Sequence, residues 1–161
     1  MKKPPAKQSR APDPEVLEVR ASGVHGLGLF ARSPLRSGQI LSHYEGRRLS
    51  AHEALTSRDD GLTYLFALSD GSFIDGDAGG NVTRHLNHSC APNCYAEEFW
   101  HRNGELGVRI KTLRAIATGE ELFLDYSLII DPTEEPAAYP CNCSAEGCRK
   151  SLAQVMDVHG A

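Results

Sequence analysis

A chain of 161 residues, 40% hydrophobic and 24% charged, is long enough to bury one core and has the composition of a single ordinary domain. Its 17 basic and 21 acidic residues leave a net charge of −4, which argues against a nucleic-acid binder. No apolar run approaches the ~20 residues of a membrane helix and no apolar segment follows the basic start, so the expectation is a soluble protein without a standard export signal.

The opening stretch, MKKPPAKQSRAPDP, holds Lys2, Lys3, Lys7, Arg10 and four prolines with almost nothing apolar, and reads as a disordered basic tail over residues 1–14. A solvated arm is favoured there over a nucleic-acid contact. Without those four cations, 13 basic residues face 21 acidic ones, so the folded body sits near −8 and suits a basic partner. Next, VLEVRAS, QILSHYEG, TYLFALSDGSFID and ELGVRIKT are short alternating or β-branched runs closed by Gly, Asp-Gly or Asn-Gly turns, and predict a mainly β body. Between the first two, GLGLFA (Gly26 to Ala31) fits the dinucleotide pattern G-x-G-x-x-A, but Arg32, Ser33 and Pro34 follow at once with no helical periodicity. What survives is a glycine pair that lets the backbone approach a ligand or a packed strand closely. Helical signal is thin: Ser50 and Glu53 form a capping box opening SAHEALTSR, and a short turn is expected near GNVTRHL.

The run LNHSCAPNCYAEE (Leu86 to Glu98) packs a histidine, two cysteines and two amides around one proline. A glycosylated loop, half of a metal site and an active-site floor compete for it. The acceptor patterns at Asn81, Asn87 and Asn142 matter only in a secreted chain, which nothing here indicates. After Ile130 an acidic, proline-rich connector, DPTEEPAAYP, leads into CNCSAEGCRK. Its Cys141, Cys143 and Cys148 are too tightly spaced to pair without strain, yet they fit around one zinc ion. A tetrahedral site needs a fourth thiolate, and only Cys90 and Cys94 remain, so the two cysteine-bearing stretches should meet in space.

HGLGLFA, YEG at Tyr44 to Gly46, YLFALSDGSFID, RHLNHSCAPNC, GEELFLDY (Gly119 to Tyr126) and CNCSAEGCRK, in that order, resemble a SET-domain lysine methyltransferase with a post-SET zinc cluster. The likeness covers roughly residues 15 to 152 and is greatest to the trithorax-type subclass. It implies a SET fold of several small sheets with a C-terminal pseudoknot over 15–130, then an acidic linker and post-SET zinc segment over 131–161. It also implies S-adenosylmethionine as methyl donor, contacted by Asn87 and His88, by His25, Gly26 and Leu27 around the Gly-Leu-Gly turn, by Tyr64, and by Asn142 and Leu152 closing over the adenine. Tyr126 matches the family's catalytic tyrosine and Tyr44 the other tyrosine of the lysine channel. Cys90 matches the cysteine that completes the zinc with Cys141, Cys143 and Cys148, leaving Cys94 spare.

Leu124, two residues before Tyr126, stands where a tyrosine restricts the number of methyl groups added, so di- and trimethyl products are expected. The chain departs from the family at His85, where an aromatic is usual, and at Leu27, where Arg or Trp is common. The Gly46 to Tyr64 segment is short, and there is no room before Glu15 for a cysteine-rich module. The expected substrate is a lysine in a basic protein, histone or histone-like, and the expected state a monomer without membrane contact. The compartment would be cytoplasmic in a bacterium, and nuclear or chromatin-associated in a eukaryote or on delivery to a host. A catalytically weak SET domain serving as a peptide-binding scaffold is the alternative.

Overall fold

The computed structural model describes residues 15–56 and 64–154; the tail over 1–14 and the end of the helical segment SAHEALTSR lie outside them. Among these residues ten short strands form three small sheets. The first has the order β1 (Leu17–Ala21), β2 (Leu27–Ala31), β10 (Glu121–Leu124), β7 (Asn87–His88). In the second, β3 (Ile40–His43) and β8 (Cys94–Trp100) flank β9 (Leu106–Thr112), and in the third β4 (Arg47–Leu49) and β5 (Leu65–Ala67) flank β6 (Phe73–Asp75).

Each anticipated run contains a strand: β1, β3, β5 with β6, and β9. Two others follow different rules. β2 is buried over Gly28 to Ala31 because β1 and β10 pair with its two edges and both faces are covered, so its run LGLFA shows no alternation. β8 carries Glu97 and Glu98 in a half-buried strand, and both acids find partners: Glu97 pairs with Arg109 and Lys111 across the hairpin, and Glu98 accepts from the Ser69 backbone at 2.7 Å. Cys94 starts β8 fully buried in the core, and burial pushes its thiol up to about 12.

Helix α1 (Ala51–Thr56) opens on the expected capping box: Ser50 N–H donates to Glu53 at 2.8 Å and Glu53 N–H returns to the Ser50 hydroxyl at 3.3 Å. The turn in GNVTRHL is a 3-10 helix, Val82–His85, capped by Asn81. One core joins the sheets, with Leu29, Ile110 and Leu122 at 0% exposure and Tyr44 and Leu124 at its margin.

The topology brings distant segments together in two places. β7 lies parallel to β10, pairing Asn87 with Phe123 and His88 with Leu124, and Ser89 N–H donates to Leu124 O at 2.9 Å. The C-terminal segment then folds back, Leu128 bridging Ala153 and Pro140 bridging Ser151. No helix among the described residues is long and apolar enough to cross a membrane.

Candidate active site

A cavity of ≈ 350 Å³ opens where the β1–β2 turn, the 3-10 helix, β7, the chain after β10 and the C-terminal segment converge. His25, Gly26, Leu27, Tyr64, Asn87, His88, Asn142 and Leu152 all line it, as does Tyr126. Val24, Arg84, His85, Pro140 and Cys141 complete the wall.

The wall is built by Asn87, whose buried side-chain amide donates to His25 O at 3.1 Å, Leu27 O at 3.0 Å and Glu121 Oε1 at 3.0 Å. These bonds fasten the β1–β2 turn to β10. Glu121 also accepts from the Ser22 hydroxyl at 2.8 Å, tying down the other end of the turn. The glycine pair serves this closeness: Gly26 has φ +46, and a Cβ at Gly28 would collide with the Glu121 carboxylate. The close object is therefore a packed strand at Gly28.

His88 is nearly buried, with both ring nitrogens engaged within the protein. Nδ1 accepts from Tyr126 N–H at 3.0 Å and Nε2 lies 3.3 Å from Cys90 Sγ, so the ring is the neutral tautomer with its proton on Nε2. Burial lowers its pKa; Asp125 opposes that effect and Arg149 adds to it. Asp125, 3.7 Å from Nδ1, is instead engaged by Arg149, whose guanidinium makes two 2.8 Å bonds to its two oxygens. That pair brings the Asp125 carboxyl down to about 2 and docks the C-terminal segment beside Tyr126.

The Tyr126 hydroxyl donates to Leu86 O at 2.7 Å and its ring stands edge-on to His88 at 5.3 Å. The residue is 46% exposed and lines the cavity, while burial around its phenol, with Tyr64 adding to it, pushes the pKa up to about 12. Tyr44 does not line the cavity. It is 9% exposed, donates to Tyr64 O at 2.7 Å and packs on Phe66 at 5.2 Å. Burial raises its pKa most, followed by Tyr126 and Asp75. Leu124 is 5% exposed in the core cluster that also holds Tyr44, away from the cavity lining.

Behind His88, the sulfurs of Cys90, Cys141, Cys143 and Cys148 lie within 4.8 Å of one another. Sulfur separations of 3.5, 3.7, 3.8 and 3.9 Å match the edge of about 3.8 Å expected of four thiolates at ~2.3 Å from one centre. Backbone N–H groups of Cys90, Arg149 and Lys150 point at the sulfurs at 3.4 Å, which favours thiolates. Left-handed backbone at Ser144, Gly147 and Lys150 wraps the segment tightly enough to bring its three thiols together. The cluster can hold one metal ion, and Cys94 is not part of it.

Residues 26–127 match the SET domain family model. The chain belongs to the SET-domain family. Relatives of this SET domain include histone-lysine N-methyltransferase 2B from Homo sapiens, 33% identical over 145 residues, covering 86% of this chain and 5% of that protein. Histone-lysine N-methyltransferase trithorax from Drosophila melanogaster is 33% identical over 140 residues, covering 83% of this chain and 4% of that one. Among solved structures, ctPRC2 in an autoinhibited conformation bound to S-adenosylmethionine is similar with a TM-score of 0.64 and 26% identity, over 69% of this chain and 15% of that one. The SET domain thus spans a small part of each relative's length.

Sequence reasoning gave no role to Glu121, Asp125 or Arg149, although they lie in the quoted motifs GEELFLDY and CRK. Arg84 and His85 open the run RHLNHSCAPNC, but nothing in their spacing marks them as cavity wall.

Proposed function

We propose that this SET domain is an S-adenosylmethionine-dependent protein-lysine N-methyltransferase acting on a lysine of a basic, histone-like protein. The observation that carries the reading is Tyr126, held by its hydroxyl and backbone N–H at the wall of a cavity of cofactor size. The names of the relatives and the bound molecule of the ctPRC2 structure support it. The residues fit the donor: the lining combines apolar Val24, Leu27 and Leu152 with polar Asn87, Asn142 and Tyr64.

When bound, S-adenosylmethionine supplies a methyl group on a cationic sulfonium. A lysine of pKa ~10.4 at pH ~7.4 must lose its proton to accept it, which costs about 4 kcal/mol unless its surroundings lower that pKa. Tyr44 and Tyr126 do not act as bases, because burial keeps both phenols protonated. The Tyr126 proton is directed to Leu86 O, so toward any other group its oxygen is an acceptor, suited to amine N–H or polarised methyl hydrogens. Tyr44, buried and fixed to Tyr64 O, braces Tyr64 at the cavity wall. Positioning supplies much of the acceleration.

The thiol cluster is proposed to hold zinc through Cys90, Cys141, Cys143 and Cys148. It would clamp the segment bearing Asn142 and Leu152 onto the cavity. Leu124, two residues before Tyr126, carries no hydroxyl that could hold the amine, which favours di- and trimethyl products. The test is incubation with labelled donor and either histones or a lysate of the protein's own cells, with the modified residue identified by mass spectrometry. Donor binding without label transfer would leave the scaffold alternative standing.

A further inference from the structure

We infer that the rings of His43, Phe99 and His101, gathered on the outer face of the second sheet, form a proton-sensitive latch whose charging in mild acid loosens the 3-10 helix on the cavity wall. The inference goes beyond the methyltransferase reading and does not depend on which ligand the cavity takes. β9 sends Val108 and Ile110 into the core, which leaves Gly107, Arg109 and Lys111 on the outer face. There Phe99 pairs with Gly107, while His43 and Glu97 flank Arg109 from either side. Gly107 has no side chain, and a Cβ in its place would collide with His101 Nε2 and crowd Phe99. The three rings close over that gap, with centroids 4.7 Å apart for His43 and Phe99, 4.5 Å for Phe99 and His101, and 5.9 Å for His43 and His101.

A proton on His43 would stand among cations. Burial lowers its pKa most, and His101 from the end of β8 and Arg109 from β9 lower it further. Glu45, two residues on, opposes them, whereas Glu97 on β8 is already engaged by Arg109 and Lys111. A histidine whose native pKa is lowered contributes fully above its ordinary value of 6.5, and that contribution is lost as pH falls through the native value. The rings therefore pack best when neutral. The His43 backbone carries the effect to the site. Its O accepts from Asn81 Nδ2 at 2.9 Å and from Thr83 Oγ1 at 3.4 Å, and Asn81 Oδ1 caps the 3-10 helix by accepting from Thr83 N–H at 3.0 Å. That helix brings Arg84 and His85 to the cavity and leads into Leu86, whose O holds the Tyr126 hydroxyl. Displacing the His43 ring thus pulls on the strand end that holds the cap.

The experiment is amide hydrogen exchange on the full chain between about pH 7.5 and 5, with each rate divided by its intrinsic value at that pH. Protection at Thr83 and Leu86 should fall by about 3- to 10-fold toward the acid end, the scale of one like-charge contact at ~6 Å in largely aqueous surroundings. Protection at Ala31, whose N–H is bonded to Glu120 O in the first sheet, should hold. His43→Phe keeps a ring, removes the charge and leaves His85 and His88 as they are, so it should abolish the fall; His101→Phe should reduce it. Calorimetric affinity for S-adenosylhomocysteine should weaken over the same range in the wild type and level out in His43→Phe. A chain that binds no S-adenosylhomocysteine at any pH overturns the donor reading, and exchange alone then decides the latch. An acid response shared equally by Ala31, or one unchanged in His43→Phe, overturns the latch. Should His43→Phe fail to fold, an unchanged response in both His101→Phe and His101→Gln overturns it.

Discussion

At the scale of single residues, Tyr126 and Leu124 lie two positions apart and are expected to control different quantities. Tyr126→Phe removes only a hydroxyl that is bonded to Leu86 O. Turnover should fall by about 100-fold or more, the scale of losing one well-placed polar group at a reacting centre, while calorimetry shows donor affinity within about twofold. Equal losses in both would make Tyr126 a binding or folding residue. Leu124→Tyr adds a hydroxyl to a core position at 5% exposure, and mass spectrometry at completion should show the product shifting toward monomethyl-lysine with activity retained. Wild-type product that stops at monomethyl-lysine would place the limiting group elsewhere. Asn87 and His88 show how a residue's role depends on its partners. Their side chains hold the wall and Tyr126 in place, so any contact they make with the donor falls chiefly to the remaining Asn87 oxygen and the backbone.

At the scale of elements, the C-terminal segment is fastened to the sheets by the thiol cluster, the Arg149–Asp125 pair and the Leu128–Ala153 bridge. Metal analysis should find one zinc per chain, lost in Cys90→Ala and kept in Cys94→Ala, whose effect is confined to the core. Chelation should weaken donor binding, because Cys141 and Asn142 are part of the cavity wall. The ion pair gives a separate signature in pH. Asp125 is held at about 2 against 3.8, chiefly by its hydrogen bonds from Arg149, so its contribution is fully present above the unfolded pKa and is lost as pH falls from about 4 toward 2. Arg149→Ala should reduce stability at pH 7 by about 1–2 kcal/mol after allowing for solvent screening, and the gap from wild type should narrow in urea unfolding below pH 4. A gap constant down to pH 2 would mean that Arg149 acts by packing alone.

At the scale of the whole molecule, the acidic excess should favour peptides with Lys or Arg beside the target, and that preference should shrink as salt brings the screening length to ~8 Å and below. A peptide array indifferent to flanking charge would remove this contribution. The features legible before folding are those whose chemistry is local. The Ser50–Glu53 box, the alternating strands and the Cys-x-Cys spacing each involve groups a few positions apart, and motif order carried the SET resemblance. β8 was not legible, because Glu97 and Glu98 look like solvated residues until Arg109, Lys111 and Ser69 arrive from other strands. Spacing alone left Cys90 and Cys94 as equal candidates for the fourth thiol. Their separation depends on where the chain turns into β8, which buries Cys94 in the core and leaves Cys90 facing the folded-back segment. Arg84 likewise joins a cavity wall only when segments far apart in the chain close around it. Local propensity is decided by neighbours in sequence, whereas burial and charge pairing are decided by neighbours in space, and those exist only once the sheets have packed.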